Sequence, residues 1–190
     1  VVFGAISLDL FAVLFGGIIA LLPAIAEKRL GVGAVGLGGL RAAVGAGAAV
    51  VALGLAVRPV RRHVGKVLLG VIAVFGLMHV VVALTTSYVV AVLALVIAAG
   101  SDQISVYIRS TLVPLATPEE MRGRVLAVEN VFIGASNELG AVESGLTAAA
   151  FGLVGAMLLG SVGTIVVVAV WWRYFPALRD VDRFSEVRAP

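Results

Sequence analysis

Apolar residues fill this chain in long unbroken runs separated by short polar gaps. A helix needs roughly 20 mostly apolar residues to cross a hydrocarbon core of about 30 Å. Six stretches meet that requirement: Val1–Ile25, Val35–Val57, Val67–Leu84, Tyr88–Val113, Val125–Thr147 and Leu153–Trp172. Barrel strands would alternate apolar and polar residues over about ten positions, and these runs do not. Residues 125–172 would measure about 72 Å as one helix at 1.5 Å per residue, so the chain must reverse, and Gly152 and Gly155 are the expected place. The expected fold is all-α: a transmembrane domain of six helices over residues 1–175, then a tail over 176–190.

Composition agrees. Hydrophobic residues make up 61% of the 190, charged residues only 13%, and the mean hydropathy is +1.14. Soluble domains are nearer 45–50% apolar and about 25% charged, so a water-soluble globule is excluded, and so is disorder. Cysteine is absent, which removes disulfides and thiolate chemistry. The net charge of +3 is not a nucleic-acid signal, because the basic residues sit in gaps between spans. Their distribution gives orientation instead. Arg58, Arg61, Arg62 and Lys66, then Arg109, Arg122 and Arg124, then Arg173, Arg179, Arg183 and Arg188 fall on one side, against Lys28 and Arg29 on the other. The larger group predicts that the C-terminus and the two longer loops are cytoplasmic, with Trp171, Trp172, Tyr174 and Phe175 as an aromatic belt. Val1 lies inside an apolar run with no basic flank, which predicts a piece of a longer protein.

Charge inside a span is disfavoured by about 2.5–3.5 kcal/mol per residue on insertion scales, so intramembrane ionisable groups are functional candidates. The first four spans carry Asp9, Arg41, His79 and Asp102 in turn; span five carries Glu129, Glu138 and Glu143 beside Asn130 and Asn137; span six carries none. Spans one, two, four and five are therefore expected to line an interior, and spans six and, mostly, three to face lipid. Arg41 and Glu143 lie at similar depth and are expected to be able to pair. Arg109 shares a face with Asp102 and is close enough to the interface to snorkel, and Glu129 is placed toward the interface. Carboxylates exchange protons readily, so Asp9, Asp102, Glu138 and Glu143 are candidate proton acceptors, with Arg41 and Asn137 as further cavity candidates. Each of these residues can equally be structural glue between helices. Small-residue stripes, Gly39-Ala43-Gly47 and Ser136-Gly140-Ser144-Ala148, predict close helix contacts, and Pro23 predicts a kink or an end to the first helix.

Gly31-Val32-Gly33-Ala34-Val35-Gly36 matches the dinucleotide pattern G-x-G-x-x-G but lacks its strand and its downstream acid. No nucleotide-binding, metalloprotease or serine-hydrolase motif with plausible partners is found, so neither enzyme activity nor a cofactor or metal is expected.

The segments Ile108-Arg109-Ser110-Thr111-Leu112-Val113-Pro114, Thr117-Pro118-Glu119-Glu120-Met121-Arg122-Gly123-Arg124-Val125 and Gly134-Ala135-Ser136-Asn137-Glu138-Leu139-Gly140 carry a resemblance over essentially the whole chain. With six spans and a basic loop between the second and third, the chain resembles the C-terminal half, helices seven to twelve, of a major facilitator superfamily transporter. The likeness is to the bacterial drug/proton-antiporter branch that includes siderophore (enterobactin-type) exporters. The resemblance implies alternating access between two six-helix halves, a bacterial inner-membrane location, and proton-driven efflux of amphipathic small molecules. The expected partners are the bilayer, such a substrate, and either the missing half or a second copy of the chain. It also implies a cytoplasmic gate, for which Arg58, Arg61, Arg62, Arg109, Glu119, Glu120, Arg122 and Arg124 are candidates. The loop from Arg58 to Lys66 keeps the glycine and basic character of the superfamily motif there but lacks its Asp. The alternatives are a six-helix membrane module without transport, or a half-transporter that works only as a dimer.

Overall fold

A computed structural model describes residues 1–187; Arg188 of the basic tail count lies outside the described residues. Among these residues the secondary structure is helical throughout: α1 (Val2–Phe15), α2 (Ile18–Ala24) running into a π-turn (Ile25–Arg29), α3 (Ala34–Val57), α4 (Val64–Leu84), α5 (Tyr88–Leu115), α6 (Glu119–Tyr174), α7 (Pro176–Arg179) and a short 3₁₀ turn (Phe184–Glu186). Gly152, at φ 75° and ψ 166°, divides α6 into α6a (119–151) and α6b (153–174). A positive φ of this kind suits glycine.

Contacts with α1 show that the chain reverses at Gly152. Along α6a, Glu129 shares a cleft with Asp9, and Gly140 lies beneath the Val13 and Leu14 carbonyls. Along α6b the order inverts: Gly160 meets Phe15, Thr164 Oγ1 donates to the Ala12 carbonyl, and Trp171 Nε1 donates to the Gly4 carbonyl at 2.9 Å. The α6a segment thus runs parallel to α1 and α6b antiparallel to it. Six crossings result, as the run lengths require.

The first crossing is interrupted at Gly16–Gly17, where α1 ends, and not at Pro23, which sits inside α2. A side chain at Gly17 would strike Ser144 Oγ and the Gly140 carbonyl, so this break is where the first and fifth crossings press backbone to backbone. Below Pro23 the missing N–H is followed by one π-turn, with Leu30 N–H donating to the Ile25 carbonyl at 3.0 Å.

Both small-residue stripes are contact seams. Ala43 is buried on α3, while side chains at Gly39 and Gly47 would collide with the Tyr88 hydroxyl and the Val96 carbonyl of α5. Ser136 and Ser144 are buried on α6a with Gly140 between them. Lipid tails are as apolar as leucine, so close packing and interhelical hydrogen bonds hold such helices together.

Two apolar cores lie at opposite ends of the bundle. One gathers Leu8, Leu68, Leu112, Val168 and Leu178; the other gathers Leu22, Leu40, Val82, Leu95 and Met157. Leu178 belongs to the segment after the last crossing, which folds back over the bundle. Val64 and Gly65 donate backbone hydrogen bonds to the Asp182 and Val181 carbonyls at 3.2 and 3.0 Å, and His63 N–H donates to Asp182 Oδ1 at 3.0 Å. The otherwise unpaired first-turn N–H groups of α4 are satisfied in this way. At the other end of α4, Arg29 donates to the Leu84 and Thr85 carbonyls.

Trp171 departs from the expected aromatic belt. It is buried, stacked on Phe175 at 5.0 Å, because the Gly4 carbonyl draws its indole N–H inward. Trp172 and Tyr174 remain exposed.

Candidate functional site

The tightest polar contact between crossings joins α1 to α5. Arg109 Nη1 lies 2.6 Å from Asp9 Oδ2, and the two side chains are only 6% and 7% exposed. Leu8 and Ala12 on α1 pack with Ile108 and Leu112 on α5, which brings the two charged positions opposite one another. Arg109 Nε also reaches Ser105 Oγ, one turn back, at 3.4 Å.

Glu129 on α6a completes the cluster. It is 7% exposed and shares a narrow cleft with Ile6, Asp9, Leu10, Arg109, Phe132 and Ile133. Asp102 stands two turns from Arg109 on α5, at the exposed edge of the group. Asp9, Asp102 and Glu129 all feel the Arg109 guanidinium electrostatically. Three carboxylates from three crossings therefore share one cation.

This geometry departs from the sequence reading at Arg109 and Glu129. Arg109 was expected to snorkel to the interface, but it turns inward because a buried carboxylate lies within direct reach. Glu129 was placed toward the interface, but it is buried. The signal that could have found both is spacing: Arg109 and Glu129 sit on consecutive crossings about the same distance from the loop that joins them.

The other candidates distribute differently. Arg41, Asn137 and Glu138 are exposed on the surface of the six-helix unit, and Glu143 is half-buried, with Ser144 Oγ 3.5 Å from its carboxylate. The expected pairing of Arg41 with Glu143 does not form; among the described residues no carboxylate lies within 4.0 Å of Arg41. The physical reason is packing: α3 is seated on α5, whereas α6a is seated on α1. His79 is buried on α4, edge-on to Phe75 at 4.1 Å.

The gate candidates other than Arg109 collect at the end of the bundle that also holds Val1 and the tail. Arg58, Arg61, Arg62, Glu119, Glu120 and Arg124 are exposed. Arg122 donates to the Pro114 carbonyl at 3.1 Å and lies 3.9 Å from Glu119. The basic loop meets a carboxylate from the tail: Asp182 lies 2.7 Å from His63 Nδ1 and 3.6 Å from Arg62 Nε. The His63 backbone N–H, with the His63, Arg62 and Arg183 side chains around it, holds the Asp182 carboxyl below its usual value of 3.8.

Lys28, Arg29, Thr86 and Gly152 meet at the opposite end. The fold thus separates the two basic groups as the alternation of spans requires, and the chain is a multi-pass membrane protein. Neither the comparison with curated proteins nor that with solved structures gives a match. The family model described as transmembrane secretion effector matches residues 2–188, nearly the whole chain. On that match the chain belongs to the transmembrane secretion effectors, a family of major-facilitator-type membrane transporters.

Proposed function

We propose that the chain is one six-helix half of a proton-coupled exporter of amphipathic small molecules, working by alternating access in a bacterial inner membrane with its C-terminus in the cytoplasm. The observation that carries this reading is the Asp9–Arg109 pair, with Glu129 and Asp102 around the same guanidinium. A buried ion pair gives little net stability over an apolar contact of the same shape, so its presence in a membrane bundle calls for a functional reason. Three carboxylates competing for one cation supply it, because protonating one frees the guanidinium for another. That exchange moves α1, α5 and α6a relative to each other.

The surface supports the same reading. Arg41, Asp102, Asn137 and Glu138 lie exposed on membrane-crossing helices, an arrangement disfavoured against lipid. A second six-helix half, or a second copy of the chain, would cover them around a wet pathway. Arg58, Arg61, Arg62, Glu119, Glu120, Arg122 and Arg124 would then form the cytoplasmic gate, and the resemblance to drug/proton antiporters and siderophore exporters favours outward transport.

The test is transport by the full-length protein in proteoliposomes under an imposed proton gradient. Asp9→Asn, Asp102→Asn and Glu138→Gln each abolish gradient-driven movement while the protein stays monodisperse. Normal coupled transport by all three variants would refute the assignment.

A further inference from the structure

Trp171 and Trp172 are neighbours on α6b with opposite fates. Trp172 is 45% exposed, as an indole at the membrane interface ordinarily is, while Trp171 is buried against α1. A buried indole N–H needs an acceptor, and Trp171 Nε1 finds one on another crossing, donating to the Gly4 carbonyl at 2.9 Å. A carbonyl oxygen has two lone pairs, so it can accept this bond beside a helical one. Gly4 allows the approach: a Cβ there would meet Phe175 Cδ1 at 2.9 Å, and Phe175 is the ring on which Trp171 stacks. The indole also packs on Phe11, with ring centroids 5.6 Å apart. Thr164, on the same face of α6b, adds a weaker contact. Its Oγ1 lies 3.4 Å from the Ala12 carbonyl while donating to its own Gly160 carbonyl at 3.1 Å.

These contacts grip α1 on one flank, and the ion pair grips it on another. Gly4 and Phe11 are seven residues apart and so share a face, whereas Asp9, five residues beyond Gly4, lies about 140° round the helix. There it meets Arg109 at 2.6 Å. The contact is therefore sensitive to rotation of α1. A side-chain tip about 5–6 Å from the helix axis moves about 3 Å in a turn of about 30°, which is enough to carry the Asp9 carboxylate out of reach of Arg109. Between Gly152 and Trp172 α6b carries no ionisable residue, and none of its residues lines the cleft around the pair. Its influence on the pair passes through α1.

We propose that Trp171 is a positioning residue for the Asp9–Arg109 pair: its N–H on the Gly4 carbonyl sets the rotation of α1 at which Asp9 meets Arg109. The role of the pair rests on the transport reading above; its placement by Trp171 does not. On this view α1 and α6b turn as one piece, and the pair opens when that piece rotates against α5. A Trp171 that only filled space would need its rings; the positioning role needs the N–H.

The test labels the full-length protein in lipid nanodiscs with dicyclohexylcarbodiimide, which adds to a carboxyl that is protonated and unpaired, and follows the Asp9 adduct by mass spectrometry. Two variants remove the N–H. Trp171→Phe keeps an aromatic ring, and benzothienylalanine at position 171 keeps the whole fused ring with sulfur in place of N–H, which preserves the packing if the smaller ring does not. Each raises the rate of Asp9 labelling at neutral pH by at least about threefold, the effect of losing one hydrogen bond. Trp172→Phe, at the exposed neighbour, leaves it at the wild-type level. In proteoliposomes the half-maximum of proton-driven transport moves by about half a pH unit in the two N–H-deleted proteins, a readout that lost packing alone would not move. The proposal is overturned if the folded benzothienylalanine protein labels at Asp9 at the wild-type rate, if Trp172→Phe raises labelling as much, or if a transporting variant keeps the wild-type pH midpoint. The transport reading fails separately: faster Asp9 labelling in the variants, with no proton-driven movement even by the wild type, keeps the positioning role and rejects the exporter.

Discussion

The two arms of the α6 hairpin pack on the same helix yet present opposite surfaces. Both α6a and α6b use small residues against α1 and the Gly16–Gly17 break that ends it: Gly140 and Ser144 on one arm, Gly160 and Thr164 on the other. Their outward faces differ. Along α6b, Leu159, Val162, Val166 and Val170 are exposed, and the buried Ser161 hydroxyl turns back to its own helix, to the Met157 carbonyl at 2.6 Å. Along α6a, Asn130, Asn137 and Glu138 are exposed among apolar neighbours, and Glu129 is buried beside the ion pair. Packing against α1 therefore does not distinguish the arms, but the medium on their far side does. An apolar face suits acyl chains; a face bearing carboxylate and amides suits water or another protein surface.

The comparison can be broken most severely at the charge that only α6a shares. Arg109→Met leaves Asp9 and Glu129 buried without their cation, and loss of one member of a buried pair costs about 3–5 kcal/mol. The expected result is little folded protein, read as loss of the monodisperse peak in detergent, while Arg109→Lys retains it. Next, Val166→Arg places a charge on the lipid face of α6b and disfavours insertion by up to about 2.5–3.5 kcal/mol. Glu138→Leu on α6a leaves insertion unharmed; equal effects of the two changes in a glycosylation-mapped insertion assay would erase the distinction between the arms. A smaller effect tests the shared seam. A side chain at Gly160 meets the Phe15 carbonyl and one at Gly140 meets the Val13 and Leu14 carbonyls, so Gly160→Val and Gly140→Val each lower stability by about 1–3 kcal/mol, measured by thermal unfolding.

The smallest effect concerns the tail that follows α6b. Asp182 holds its proton less tightly than an ordinary Asp, chiefly because the His63 N–H donates to it. A depressed value means that its contribution is complete above the ordinary value of 3.8 and is lost as the pH falls through the lower folded value. Hydrogen exchange at Val64 and Gly65, taken relative to the intrinsic rate at each pH, is therefore unchanged between neutral pH and about pH 5 and quickens only in stronger acid. Asp182→Asn quickens it at neutral pH, with little change in global stability.

Run length and the bilayer's thickness determined six crossings and the reversal at Gly152, because a hydrocarbon core accepts little else. Small-residue spacing likewise marked the seams at Gly39-Ala43-Gly47 and Ser136-Gly140-Ser144, since close approach needs small side chains on one face. Which charges would meet was not legible. A polar residue in a span reports only that it cannot face lipid, and Arg109 had both an interface and a partner within reach of its long side chain. Tertiary packing chose the partner by seating α1 against α5 and α6a, which put Asp9 opposite Arg109, drew Glu129 in beside them, and left Arg41 on a helix that never approaches Glu143. The tail was equally silent in sequence. Its docking depends on unpaired N–H groups at the start of α4, which only the folded bundle brings beneath Val181 and Asp182.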